Sequence, residues 1–364
     1  MHIYEKNDLK MTSIHVVYNA GALYESKGRE GTMHLMEHMV CKNFDDLRDM
    51  MQERGITYNA MTGDQNVTFF FKGLESKLSP VKEMLVKRLI SGFQATEEQL
   101  ISEKKVVVEE YLDVFNDQIL GNYYNSMRNY YGFHGSIGLR SSIEKFNYAD
   151  ALEVYDTYFK KPVRIVEVGP TKSDFSFVEY SEDSLGDLGE FGYRETELES
   201  VNVNNKLSVI GISKIKCDKK DYPALSLGLS MLGDGLNSPL YIEIREKRGL
   251  SYFSWCASMT YGSHATVLLG SCTEKDRVNE LCEVYNNVLS NIESYLTVER
   301  FDVCKKRAMV IVEKREVLRF ENPEDLIVGN GLYQYEGLES LTFEYVIEVV
   351  KKYINNNAIH LVVA

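Results

Sequence analysis

The run Arg54-Gly55-Ile56-Thr57-Tyr58 returns as Arg248-Gly249-Leu250-Ser251-Tyr252, each time between a helical stretch and a strand-like one. Lys104-Lys105 and Lys305-Lys306 likewise fall at matching points of two long helical stretches. Echoes at the same places in the order of elements restrict the chain to a duplicated unit. Length agrees, because 364 residues exceed what one ordinary core accommodates. The expected division is a first domain over residues 1–180, a linker over 181–203 and a second domain over 204–364. The linker is expected where Glu179 to Glu199 gathers acidic residues and glycines with few apolar anchors.

Thr12 to Tyr18 is β-branched and alternating, which predicts a strand with His15 packed in it. Gly21 to Gly31 reads as a loop carrying the charged run Glu25 to Glu30. A helix through His34 to Val40 follows, then a second over Phe44 to Glu53 that ends at Gly55. Ile56 to Thr62 and Asn66 to Lys72 form a hairpin about Gly63-Asp64. Leu78 to Ile90 is an amphipathic helix. Thr96 opens a long helix with Glu97 and Glu98 in its first turn, where the helix dipole favours acids. Tyr123 to Tyr131 reads as a tyrosine-rich core face, Ala149 to Phe159 as a helix and Val163 to Val168 as a closing strand.

The second half repeats this order. Strand Leu207 to Ser213 precedes helices Tyr222 to Leu232 and Ser238 to Lys247, and Ser251 to Met259 pairs with Ala265 to Ser271. Helices Arg277 to Tyr295, Val298 to Val317, Pro323 to Tyr335 and Phe343 to Ile354 lead to a last strand, His360 to Ala364. The chain is a duplicated α+β protein.

One copy carries a distinctive polar strip. His34, Glu37 and His38 lie three and four residues apart, on one face of a helix whose other positions include Met33, Met36, Met39 and Val40. Buried there, two imidazoles and a carboxylate need a partner that apolar packing cannot supply. A zinc ion meets the need, with His34 and His38 as ligands and Glu37 as the base beside it; the order is H-x-x-E-H. Hydrolytic zinc takes a third protein ligand. Glu103 and Glu110 lie seven residues apart on one face of the long helix and are the candidates, whereas Glu109 points about 100° away from Glu110. The second copy has no such motif, so one copy does the chemistry.

The remaining composition narrows the class. A net charge of −13 argues against nucleic acid and anionic membranes as partners. Six cysteines with no C-x-x-C pair argue against a zinc–thiolate site or a disulfide framework. No stretch approaches twenty apolar residues, and the opening Met-His-Ile-Tyr-Glu-Lys lacks the apolar core of a signal peptide, so a cytoplasmic location is expected.

Taken together, Gly31-x-x-His34-x-x-Glu37-His38-Met39, Asn59-Ala60-x-Thr62 and Glu103 with Glu110 resemble the pitrilysin family of zinc peptidases, which includes insulin-degrading enzyme and the mitochondrial processing peptidase. Arg245-Glu246-Lys247-Arg248-Gly249-Leu250-Ser251-Tyr252 resembles the Arg and Tyr pair of that family's second domain. The resemblance implies two homologous α/β sandwich domains, each a mostly antiparallel sheet covered by helices. It also implies zinc on His34, His38 and Glu110, Glu103 orienting a histidine, and Glu37 as general base. Asn59 and Ala60 would bind a peptide or unfolded protein by strand addition, and Arg245 and Tyr252 would hold its backbone and the oxyanion. A homodimer with composite sites is the implied assembly, with a heterodimer as the alternative. A non-catalytic subunit or peptide-binding partner is the alternative function. The chain departs from the family's pattern at Met33, in the loop expected after Met39 (Val40-Cys41-Lys42-Asn43) and in its compactness.

Overall fold

Alternating and β-branched segments supply two separate sheets. A computed structural model describes residues 1–117, 121, 124, 135–182, 206–261, 264–314, 320–321, 337–354 and 359–363. The chain divides into two compact units: the first spans 1–113, 133–185 and 316–324, the second 114–132, 186–315 and 325–364. The acidic linker falls mainly outside the described residues, as does the expected helix Pro323 to Tyr335 and, Tyr124 apart, most of the tyrosine-rich run.

The first unit holds β1 (His2–Lys6), β2 (Met11–Tyr18), β3 (Thr57–Thr62), β4 (Val67–Leu74) and β5 (Arg164–Gly169). They lie in the order β1-β5-β2-β4-β3. Every pairing is antiparallel except β1 with β5. Central β2 is buried from Thr12 to Tyr18, and His15 packs there, its ring stacked on Phe70 at 5.2 Å. Helix α1 (Thr32–Cys41) and helix α2 (Glu97–Asn116), the latter as far as Asp113, belong to this unit. Met33, Leu35, Met36, Met39 and Val40 of α1 join Ile14, Val16, Phe69 and Phe71 of the sheet in one apolar core. Thr96 caps α2 reciprocally: its hydroxyl accepts from Gln99 N–H, and Gln99 Oε1 accepts from Thr96 N–H.

The second unit holds β6 (Lys206–Lys216), β7 (Ser254–Tyr261), β8 (His264–Glu274) and β9 (His360–Val363), ordered β7-β8-β6-β9 and wholly antiparallel. Helices α3 (Tyr222–Gly233), α4 (Val278–Ser290), α5 (Val298–Glu313) and α6 (Phe343–Tyr353) contribute to its core. With β1 set aside, the two sheets share one order, β3-β4-β2-β5 matching β7-β8-β6-β9. Smaller devices recur as well. Thr297 caps α5 as Thr96 caps α2, accepting from Arg300 N–H. Lys104 Nζ donates to the carbonyls of Glu144 and Phe146, and Lys305 Nζ to those of Glu339 and Leu341. The expected class, two homologous α+β domains of mostly antiparallel sheet and helices, is the observed one.

The structure corrects several local expectations. The opening residues form β1, an edge strand that the sequence reading left unassigned. The expected helix Leu78 to Ile90 is broken into Glu75–Leu78 and Lys82–Leu89 around Pro80, whose missing N–H cannot continue a helix. The loop expected after Met39 is absent: α1 continues to Cys41 and runs directly into a 3₁₀ segment, Lys42–Leu47.

An ion pair anchors the outer strands of the first sheet. Glu167 on β5 is fully buried and accepts from Lys82 Nζ at 2.9 Å, while its carboxylate also meets His2 Nε2 at 3.1 Å and Ser173 Oγ at 2.6 Å. Burial alone would raise its pKa, but these donors lower it to about 2. Removing one partner of a buried pair strands the other charge. Lys82→Met is therefore expected to destabilise the first unit by about 3–5 kcal/mol in urea unfolding. Because the folded pKa lies below the ordinary 4.5, wild-type stability from this group is present above pH 4.5 and drains away as pH falls towards 2. The Lys82→Met variant should lose only part of that acid dependence, because His2 and Ser173 still donate to the carboxylate.

Candidate metal centre

Helix α1 is preceded by Gly31, which adopts a left-handed φ of 89°. A side chain there would crowd the Gly138 backbone and Ile143 at 3.1 Å. The first turn has no acid of its own, so Glu25 reaches over from the preceding loop. Its carboxylate accepts from Gly31 N–H at 2.8 Å and Met33 N–H at 2.7 Å, satisfying two of the helix's free amides. Burial pushes the Glu25 carboxyl up to about 8 against the opposing pull of those amides. The cap fixes the start of a helix whose next turns carry the polar strip.

Side chains at i and i+4 stack on one face, and the His34 and His38 rings stand edge to face, centroids 4.9 Å apart. Glu110 approaches from α2. Its Oε2 lies 3.3 Å from His34 Nε2 and its Oε1 3.7 Å from His38 Nε2. The second distance is too long for a hydrogen bond. One ligating atom from each of His34, His38 and Glu110 can be chosen so that all lie within 4.8 Å of one another. The two histidines hold the Glu110 carboxyl below the usual carboxylate range.

Seven residues earlier on the same face, Glu103 is 8% exposed. Its Oε2 pairs with His38 Nδ1 at 3.0 Å and its Oε1 with Lys42 Nζ at 2.5 Å. Burial would raise the Glu103 carboxyl, but Lys42 and His38 keep it below its ordinary value. A carboxylate at Nδ1 favours the tautomer with the proton there, which leaves the Nε2 lone pair turned to the Glu110 side. Glu37, also 8% exposed, accepts a 2.5 Å hydrogen bond from Thr62 Oγ1 at the end of β3.

The donor set suits a divalent cation of zinc type: two imidazole nitrogens, one carboxylate, and a second carboxylate fixing one imidazole. His34, Glu37, His38, Glu103 and Glu110 are thus brought together within the first unit, and Glu109 is exposed, as its helical phase requires. Glu25 and Lys42 were not singled out by sequence, and Thr62 stood there only as a member of the Asn59-Ala60-x-Thr62 motif, without a role of its own. Lys42 stands four residues after His38, a helical spacing that would have exposed it had α1 been extended past Met39.

Asn59 and Ala60 lie on β3, which ends the first sheet's order and, among the described residues, pairs only with β4. Ala60 N–H donates to Asn59 Oδ1 at 2.9 Å. Arg245 and Tyr252 are neighbours within the second unit. The Arg245 guanidinium lies 4.6 Å from the Tyr252 ring centroid and 4.9 Å from that of Tyr241, and it also donates to the Tyr241 hydroxyl. Tyr252 is 81% exposed. The matching region of the second unit has no metal set: counting back equally from Arg54 and Arg248 pairs His34 with Gly228, Glu37 with Met231 and His38 with Leu232. Among the described residues, no helix is long and apolar enough to cross a membrane.

Two family models match the chain. Residues 2–129 match the insulinase domain of peptidase family M16, and residues 145–308 match the domain described as the M16 inactive domain. The zinc protease PqqE of Helicobacter pylori is 23% identical over 272 residues, covering 68% of this chain and 61% of that one. An uncharacterised zinc protease of Rickettsia bellii is 20% identical over 313 residues, covering 80% of this chain and 75% of its own. The crystal structure of a protease from Helicobacter pylori superimposes with a TM-score of 0.79 at 18% identity, over 100% of this chain and 96% of that one. The chain belongs to peptidase family M16, the pitrilysin-like peptidases, and carries the family's two domains in tandem.

Proposed function

We propose that the chain is a zinc-dependent endopeptidase that cleaves peptides or unfolded protein segments. The observation that carries this reading is the convergence of His34 Nε2, His38 Nε2 and the Glu110 carboxylate on one point, with a buried carboxylate, Glu37, on the same helix. His34, His38 and Glu110 would hold the metal. Zinc bound there would polarise the scissile carbonyl and acidify the attacking water.

The chain's own residues do the rest. Glu103 holds His38 by Nδ1 so that Nε2 stays available. Glu37 takes a proton from the attacking water at Oε1 and hands it to the leaving amine. Asn59 and Ala60, on an edge strand with one sheet neighbour, are assigned to the substrate backbone, which would add as a further strand. Arg245 and Tyr252 are assigned to holding that backbone and the oxyanion, and the two flanking tyrosine rings keep the guanidinium in one place. The complete donor set argues against the alternative of a non-catalytic subunit, which has no need to keep two histidines and three carboxylates at these spacings.

Four measurements test the proposal. Glu37→Gln should bind one zinc per chain, as wild type does, yet cleave a quenched peptide at least about 100-fold more slowly. Chelation should silence wild type, and zinc should restore it; wild type that binds no zinc and cleaves nothing would leave the binding-partner reading. Glu103→Gln should weaken zinc affinity about 10- to 100-fold in competition with a chromogenic chelator, with the fold unchanged by circular dichroism. A homodimer belongs to the same proposal, so light scattering should return twice the chain mass; a strictly monomeric and fully active protein would rule it out.

A further inference from the structure

Thr62 is the last residue of β3 and faces α1, only 9% exposed. Its hydroxyl donates to Glu37 Oε2 at 2.5 Å, a bond between two buried side chains. A carboxylate on a helix has several rotamers, and a base works only when the accepting oxygen stands where the proton is released. One oxygen of Glu37 is fixed by the strand, and among the described residues no hydrogen bond to Oε1 is found. The strand is itself fixed. It pairs with β4 through Thr62↔Val67, and the turn is closed by Gly63 N–H to Asn66 carbonyl at 2.8 Å. Gly21 N–H donates to the Gln65 carbonyl at 3.1 Å and ties the turn to the start of the loop that leads into α1.

We infer that Thr62 is a positioning residue for the general base: its hydroxyl pins Glu37 Oε2 and leaves Oε1 as the proton acceptor. The inference rests on the peptidase reading of Glu37. It deepens that reading by coupling the base to the end of the same edge strand proposed to receive substrate. Substrate laid along β3 and the base that serves it would then share one rigid element. A hydrogen-bond donor at this position is required; the methyl group of threonine is not.

Two variants separate the hydroxyl from the shape. Thr62→Val keeps the branched side chain and removes the donor, while Thr62→Ser keeps the donor and removes the methyl. With zinc stoichiometry and thermal midpoint measured on each, Thr62→Val should lose roughly 10- to 100-fold in kcat with KM within about two-fold of wild type. Thr62→Ser should retain at least about half of kcat. Crystal structures of wild type and Thr62→Val should show the Glu37 carboxylate turned away from the wild-type position in the variant. Thr62→Val with wild-type kcat, or Thr62→Ser as impaired as Thr62→Val, would overturn the inference while leaving the peptidase proposal intact. Zinc-loaded wild type without activity would instead overturn the peptidase proposal. In that case the Glu37 position alone decides the pin: a carboxylate unmoved in Thr62→Val sinks it, and a displaced one upholds it.

Discussion

Two imidazoles and a carboxylate sit on a helix whose remaining faces are core, and that constraint organises the first unit. Helix α1 buries Met33, Leu35, Met36, Met39 and Val40 against the sheet, so Glu37 is buried with them and the His34 and His38 side chains keep only 15% and 18% of their exposure. Each must meet a polar group from another element or stand as an uncompensated buried charge or dipole. The partners come from two directions. Glu103 and Glu110 arrive from α2, spaced by two helical turns so that one meets His38 at Nδ1 and the other lies across both Nε2 atoms. Thr62 arrives from the end of β3 and takes Glu37. The caps on Gly31 and Thr96 fix where each helix begins, and therefore which residues face across the gap. Lys42 adds a cation on the far oxygen of Glu103, so that carboxylate is held from both sides.

Much of this was legible because it rests on short-range periodicity. The H-x-x-E-H spacing, the seven-residue step from Glu103 to Glu110 and the capping signal at Thr96 are statements about one helix each, and helical geometry converts them directly into faces. The hairpin about Gly63-Asp64 was readable for the same reason. What escaped depends on contacts distant in sequence. Glu25 caps a helix from the preceding loop, and its charged neighbours made it look like part of a solvated run. Thr62 stands twenty-five residues from Glu37, and only the packing of β3 against α1 brings the two together. β1 escaped because it is short and only partly buried, with Ile3 and Tyr4 set among His2, Glu5 and Lys6; what places the strand is pairing with β5, distant in sequence, together with the His2–Glu167 contact. At Pro80 the missing N–H outweighs the amphipathic pattern around it and splits the helix.

The duplication separates folding devices from chemical ones inside a single chain. Devices present in both copies serve the backbone: the Arg-Gly turn before the hairpin, the threonine caps on α2 and α5, and the lysines that bind paired carbonyls. The metal set is not repeated in the second copy. Gly228 stands where His34 does in the first copy, and a side chain there would run into Val350 at 2.2 Å, so α3 and α6 close over the position. Met231 and Leu232 replace Glu37 and His38 with fully buried apolar groups. By the Lys104 and Lys305 register, Cys304 stands for Glu103, and by the Arg-Gly register Cys256 stands for Thr62. A cavity of about 340 Å³ persists where α3, β7 and α5 meet, lined by Ser226, Ser230, Cys256 and Arg307 among others. The scaffold therefore tolerates removal of every polar group in the strip without loss of its sheet order. Since the second copy keeps its sheet order without counterparts of His34, Glu37, His38, Glu103 or Thr62, the fold does not need these residues, and it is the proposed peptidase function that would give them a role.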